Sequence, residues 1–355
     1  PSLRSILGWS EICRSGRLRL SADDTTGNAG GSAASGDTLD AIASALIEPA
    51  FLGSGDVAGN PVQAVPDEIA GIYRIHRPAQ CDSPLVVASP HSGCLYPPDL
   101  LAATRLAPLD LRSSEDSFME QVLEGANAAG APRVYVDVNR EPFELDPNMF
   151  SDPLPDGAAT DSIRISAGLG TIARVVANSE PVYGQKLSFD DAAHRIGTYY
   201  APYHRALQRL IAEALEQFGF CLLIDGHSMP SSAVRHVRSE RRPIDIVLGD
   251  CHGVTAAPAF IERAEGFFRD RHYTVRRNSP YAGGFVTRHY GRPGVGIHVL
   301  QIEINRALYM DERRIEPRAG IEPLKKDIGA LLGELSETAR RMAENGSSPI
   351  RAAAE

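Results

Sequence analysis

The stretch FCLLIDGHS, Phe220 to Ser228, decides how this chain is read. An apolar run of this length, closed by small polar residues, predicts a buried strand. Asp225-Gly226 predicts a turn at its end, because this pair readily takes the backbone shapes that turns need. A histidine, His227, then follows the strand at once.

Working outward, the same arrangement recurs. PLVVAS (Pro84 to Ser89) predicts a strand, and Pro90 and His91 come directly after it. GIHVLQIEIN (Gly296 to Asn305) alternates most clearly and carries Glu303. A carboxylate there must face the less apolar side of a sheet or be buried with a partner. IDIVLGD (Ile244 to Asp250) and HYTVRRN predict two further strands, and RVYVDVNR (Arg133 to Arg140) alternates toward another. Helical patterns lie between them. SSEDSFMEQVLEGANAAG predicts a helix capped by Ser114, with early acids suited to its N-terminus and an end at Gly130. DDAAHRIGTYYAPYHRALQRLIAEALEQFG predicts a long helix kinked or restarted at Pro202. APAFIERAEGFFRD and the stretch from about Ile321 to Asn345 predict two more. EPFELDPNMFSDPLPDG is broken by prolines and predicts a long loop. Strands alternating with helices indicate an α/β fold, with helices on both faces of one sheet.

The chain of 355 residues is 43% hydrophobic and 23% charged, as expected of a globular protein with a sizeable core. Its formal net charge of −9 argues against nucleic acid or an anionic membrane as partner. The five cysteines form no CxxC pair, so a reducing, cytoplasmic setting is expected. No apolar run reaches the roughly 18 residues of a membrane span. Nucleotide-binding glycine motifs are missing. Residues 1–65 are Gly/Ala/Ser-rich in part and are expected to be a poorly ordered leader, with TLDAIASALIEPAFL suited to a short helix. The first residue is Pro1, which fits a fragment or a mis-assigned start. Residues 66–345 are expected to form one catalytic domain and 346–355 a frayed tail.

Ligand sites of open α/β sheets lie beyond the carboxyl ends of the strands, so His91, His227 and Glu303 are candidates to converge. Two imidazoles and a carboxylate, with a position left for water, are the donors of a catalytic zinc site. Taken singly, each has a plainer reading. His91 and His227 can be turn residues, and Arg140, after Asn139 in VDVNR, can be a surface arginine. The functional reading of Arg140 is a guanidinium gripping a substrate carboxylate with two parallel hydrogen bonds.

The ordered motifs are more specific than any one residue. SPHSG (Ser89 to Gly93), EDSFMEQV (Glu115 to Val122), DVNREP (Asp137 to Pro142), GLGTIARV (Gly168 to Val175), YYAPYHRAL (Tyr199 to Leu207), IDGHSMP (Ile224 to Pro230), GGFVTRHYGRP (Gly283 to Pro293) and QIEINRALYMDE (Gln301 to Glu312) occur in this order. With them the chain resembles the N-formylglutamate amidohydrolase family, a branch of the zinc carboxypeptidase-like hydrolases, over about Leu85 to Tyr309. The resemblance implies a three-layer α/β/α fold of phosphorylase/hydrolase-like type, with a mostly parallel, partly mixed central sheet. It implies hydrolysis of N-formyl-L-glutamate to formate and L-glutamate, a late step of one histidine-degradation route, with Zn2+ or another divalent metal as cofactor. By motif His91 and His227 would be metal ligands, Glu303 the general base and acid, and Arg140 a substrate ligand.

One departure stands out. Carboxypeptidase-like enzymes carry an acid three residues after the first histidine, and here that place is Cys94. The acid ligand must then come from elsewhere. Asp116 is favoured, Glu115 is the alternative, and Cys94 itself is a weaker candidate; the plainer reading is that both acids complement a helix dipole. The small anionic N-acyl amino acid expected as partner carries two carboxylates. Candidates on the substrate side are Arg140, Asn139, Arg195, Arg288 and Arg306, with Tyr203, His204 and His289 assisting. Rival readings are a deacylase for succinyl or acetyl groups, a thiol hydrolase using Cys94 or Cys221, and a non-catalytic ligand-binding relative. Oligomeric state is left open.

Overall fold

The computed structural model describes residues 65–123, 130–235, 238–239 and 242–345. The leader up to residue 64, the helix expected within it, and the tail from 346 lie outside them.

Five strands form the central sheet: β1 (Leu85–Ala88), β2 (Cys221–Met229), β3 (Ile246–Gly249), β4 (Val275–Arg277) and β5 (Ile297–Asn305). Their order is β1-β2-β5-β3-β4. β1, β2 and β5 run parallel, β3 is antiparallel to β5, and β4 is parallel to β3. The sheet is thus mostly parallel and partly mixed. The principal helices are α1 (Met119–Val122), α2 (Phe189–Arg195), α3 (Ala201–Phe218), α4 (Pro258–Asp270), α5 (Phe285–Tyr290) and α6 (Ile321–Glu344). None of the described helices is long and apolar enough to cross a membrane.

The two-residue period of a strand sorts the side chains of β2 and β5 into two faces. Leu222, Ile224, Leu300, Ile302 and Ile304 enter one apolar cluster with α1, α4 and α6. Cys221, Leu223, Ile297 and Val299 enter a second cluster with α2, α3 and α5. This makes three layers, helices on sheet on helices. On the second face the apolar set stops halfway. Asp225, His227, Gln301 and Glu303 continue the same alternation toward the carboxyl ends, and the register places His227 beside Glu303.

Several local expectations are corrected. Asp225-Gly226 is no turn, because β2 runs unbroken through Met229. Gly226 is there for space: a Cβ would lie 2.4 Å from Leu123 Cδ1 and 3.1 Å from the Ala88 carbonyl oxygen. RVYVDVNR forms no strand. The amide of Asp137 donates to the Thr171 carbonyl, while the carbonyls of Val138 and Arg140 accept from the His204 ring and the Tyr200 hydroxyl. Loop and side-chain partners take the place of a ladder. Of the helix expected from Ser114, the described residues hold the single turn of α1, preceded by Phe118 in left-handed conformation (φ 67°), and residues 124–129 of that stretch lie outside them. Ser114 Oγ accepts from the Ala177 amide and so caps no helix. The break expected near Pro202 appears as a π-helical segment, Ile196–Tyr200, between α2 and α3. Proline removes one helical donor, and a π bulge accommodates the freed carbonyl.

Candidate metal and active site

His91 lies three residues past the end of β1, His227 sits within β2, and Asp116 lies in the turn before α1. One nitrogen or oxygen of each comes within 4.8 Å of the others, and all three residues are buried. Asp116 Oδ2 is 3.6 Å from His91 Nδ1 and 3.2 Å from His227 Nδ1. Its other oxygen is occupied: Oδ1 accepts from Ser228 Oγ at 2.8 Å and from Arg306 at 3.2 Å. Burial raises the Asp116 carboxyl, but the neighbouring His227 and His91 rings outweigh that and hold it well below the usual carboxylate range.

The outer nitrogens of both rings are fixed by further carboxylates. His91 Nε2 is 2.8 Å from Asp137 Oδ1, and His227 Nε2 is 3.0 Å from Asp225 Oδ1. Asn139 Nδ2 also lies 3.0 Å from His227 Nε2, and its Oδ1 accepts the Val286 amide. A carboxylate behind an imidazole sets the tautomer and leaves the opposite nitrogen as a lone-pair donor. Here that nitrogen is Nδ1 in both rings. Among the described residues His91 Nδ1 is buried with no hydrogen-bond partner, which is costly unless a cation takes it. This orphaned atom, beside one carboxylate oxygen and a second Nδ1, fits a divalent cation.

Glu115 points away from that group. Arg112, Tyr96 and Ser117 all bond its carboxylate. Glu303 is buried beside His227, and Gln301 Nε2 donates to its Oε1 at 2.9 Å. Gln301 is fixed in turn by the Gly284 amide and Thr287. Burial pushes the Glu303 carboxyl up to about 7, His227 opposing the shift and Asp116 adding to it.

The remaining candidates separate by position. Arg306 is buried and spends its nitrogens on Ser228, the Ser113 carbonyl and Asp116. Arg140 bonds the carbonyls of Leu169 and Asn139 and pairs with Asp137 at 3.3 Å; burial pushes it down to about 10 despite Asp137. Arg195 is buried over the Tyr135 ring and donates to Tyr183. Tyr203 is buried, and its hydroxyl has no hydrogen-bond partner among the described residues. His204 lies between the Val138 carbonyl and the Tyr290 hydroxyl. Arg288 is exposed and donates to the Gly283 carbonyl, and His289 stacks on Phe285. The structure therefore gathers His91, Asp116, His227, Glu303, Asn139 and Arg306, with Arg140 behind Asp137. It places Arg195, Tyr203 and His204 in packing layers. Cys221 is fully buried on an apolar face and its thiol is pushed up, the surroundings of an inert thiol.

Asp137 and Asp225 were not singled out in the sequence. Asp225 carried a usable signal, since two residues before a histidine on a strand is the same face. Asp137 carried none, because its segment is irregular.

Residues 83–310 match the model of the N-formylglutamate amidohydrolase family. The chain is 30% identical over 257 residues to an N-formylglutamate deformylase of Pseudomonas putida, covering 71% of this chain and 90% of that protein. It is 28% identical over 258 residues to the N-formylglutamate deformylase of Pseudomonas aeruginosa, covering 72% and 92%. The crystal structure of N-formylglutamate amidohydrolase from Ralstonia eutropha superposes with a TM-score of 0.72 at 35% identity, covering 76% of this chain and 99% of that one.

Proposed function

The chain belongs to the N-formylglutamate amidohydrolase family, and from that premise we propose that it hydrolyses N-formyl-L-glutamate to formate and L-glutamate. The observation that carries this reading is Asp116 Oδ2 facing two Nδ1 atoms, each ring backed by its own aspartate.

His91, Asp116 and His227 would hold a divalent cation, with zinc favoured by two imidazoles and one carboxylate. Bound there, such an ion supplies a Lewis acid that polarises a carbonyl and makes water more acidic. Asp137 and Asp225 hold the two rings in the ligating orientation. Arg306 and Ser228 hold Asp116. Glu303 takes the proton from the water that attacks the formyl carbon. It then gives that proton to the amine nitrogen as the carbon–nitrogen bond breaks, since an unprotonated amine leaves poorly. A carboxyl placed near neutrality by burial serves in both directions. Gln301 keeps Glu303 in place without adding charge.

Formate release from N-formyl-L-glutamate, compared with acyl release from N-acetyl- and N-succinyl-L-glutamate, tests the proposal. The formyl substrate is expected to be preferred by kcat/KM. Preference for either larger acyl group would overturn the assigned substrate, and turnover of none would overturn the hydrolase reading.

A further inference from the structure

The assigned substrate carries two carboxylates, and a buried or half-buried cation is the natural partner for each. Arg140 and Arg306 are the arginines nearest the metal-ligand group by motif, but neither has nitrogens to spare. Arg140 bonds Leu169, Asn139 and Asp137, and its side chain is only 9% exposed. Arg306 bonds Ser228, Ser113 and Asp116. Arg133 differs from both. Its Nε contacts Asp137 Oδ2 at 3.2 Å, its side chain is 26% exposed, and its two terminal nitrogens have no partner among the described residues.

Its place is fixed from two sides. Asp137, which Arg133 holds, is the carboxylate that orients His91. Burial lowers the Arg133 guanidinium, but the charges of Asp137, Asp116, Glu303 and Tyr281 outweigh it. Tyr281 packs against the cluster of Met229, Val234, Ile244 and Val247. Val247 is the cross-strand partner of Glu303, and Met229 continues the face that carries His227. Burial raises the Tyr281 hydroxyl, with Glu303 adding to the shift and Arg133 opposing it.

We propose that Arg133, assisted by the Tyr281 hydroxyl, binds one carboxylate of the N-formyl amino acid, and that Arg140 is a positioning residue for Asp137. This rests on the hydrolase reading above. The Nε edge of Arg133 is anchored, so its open edge is presented at a fixed angle with little further ordering needed, and that edge is the planar fork a carboxylate accepts from. The phenol supplies a third donor.

Three substrates separate this role from a structural one: N-formyl-L-glutamate, N-formyl-L-glutamine, and the α-amide of N-formyl-L-glutamate. Arg133→Gln is expected to raise KM for N-formyl-L-glutamate by roughly 30-fold or more. It is expected to cost far less for whichever amide lacks the carboxylate Arg133 holds. Arg133→Lys should recover part of the loss, and Tyr281→Phe should show a smaller loss with the same substrate dependence. Equal losses on all three substrates, or no loss, would overturn the proposal. Calorimetric titration with L-glutamate gives a reading that needs no turnover. The wild type is expected to bind it more tightly than Arg133→Gln by a similar factor. If the wild type releases no formate, the hydrolase reading fails, and the titration still decides on Arg133: equal affinity in both proteins, or no binding to the wild type, overturns its role.

Discussion

Asp116 turns one carboxylate oxygen to two imidazoles and the other to Ser228 and Arg306, while its neighbour Glu115 turns to Arg112, Tyr96 and Ser117. The two acids are adjacent in sequence and opposite in use, which their spacing alone could not reveal. Asp116→Asn is expected to lower metal content after dialysis, measured by atomic emission, whereas Glu115→Gln keeps the metal and loses stability instead. The reverse pattern would assign the ligand to Glu115. Glu303→Gln preserves size and the neighbouring hydrogen bond but removes the base. It should keep the metal and lose at least about 10²-fold in kcat; a normal rate would remove Glu303 from the chemistry.

Strand β2 carries the site because its alternation changes character partway along. Cys221 and Leu223 pack against helices, and Asp225 and His227 on the same face meet polar partners. Gly226 faces the opposite side, against Leu123. Gly226→Ala is expected to destabilise the protein by about 1–3 kcal/mol through overpacking, read as a lower midpoint in urea unfolding at unchanged slope. An unchanged midpoint would mean that α1 yields easily. The strands that become β1, β2 and β5 were legible as apolar runs, and α4 and α6 as amphipathic periods. Asp137 to Arg140 misled, because alternation looks the same whether a neighbouring strand or the side chains of Tyr200 and His204 receive the carbonyls. His91, His227 and Glu303 were visible as polar residues placed in or after strands. The pairing of Asp137 with His91, and the use of every Arg306 nitrogen on Ser228, Ser113 and Asp116, depend on contacts between distant segments, to which periodicity is blind.

Across the whole molecule, two histidines remote from the metal ligands tie stability to pH. Burial pushes His204 down to about 3 and His298 down to about 4. His298 Nδ1 accepts the Ala257 amide, and His204 bonds the Val138 carbonyl and Tyr290, so both rings are held neutral. The unfolded chain protonates each near its ordinary 6.5. Between that value and the folded one it binds more protons than the native state, so stability is full above about pH 6.5 and falls as pH drops below it. The expected slope is about 1.4 kcal/mol per pH unit for each histidine. Denaturant midpoints between pH 7 and 5 check this, and His298→Gln should flatten the dependence; a slope unaltered by that change would contradict it. The helices on both faces bury the sheet, and the polar half of one face is left to chemistry. His91, Asp116 and His227 would hold the metal on which the proposed hydrolysis depends. Formate release from N-formyl-L-glutamate, measured before chelation, after chelation to background metal content, and after zinc is restored, tests it most directly. Activity, its loss and its return are expected; full activity in the metal-stripped chain would contradict metal-dependent hydrolysis.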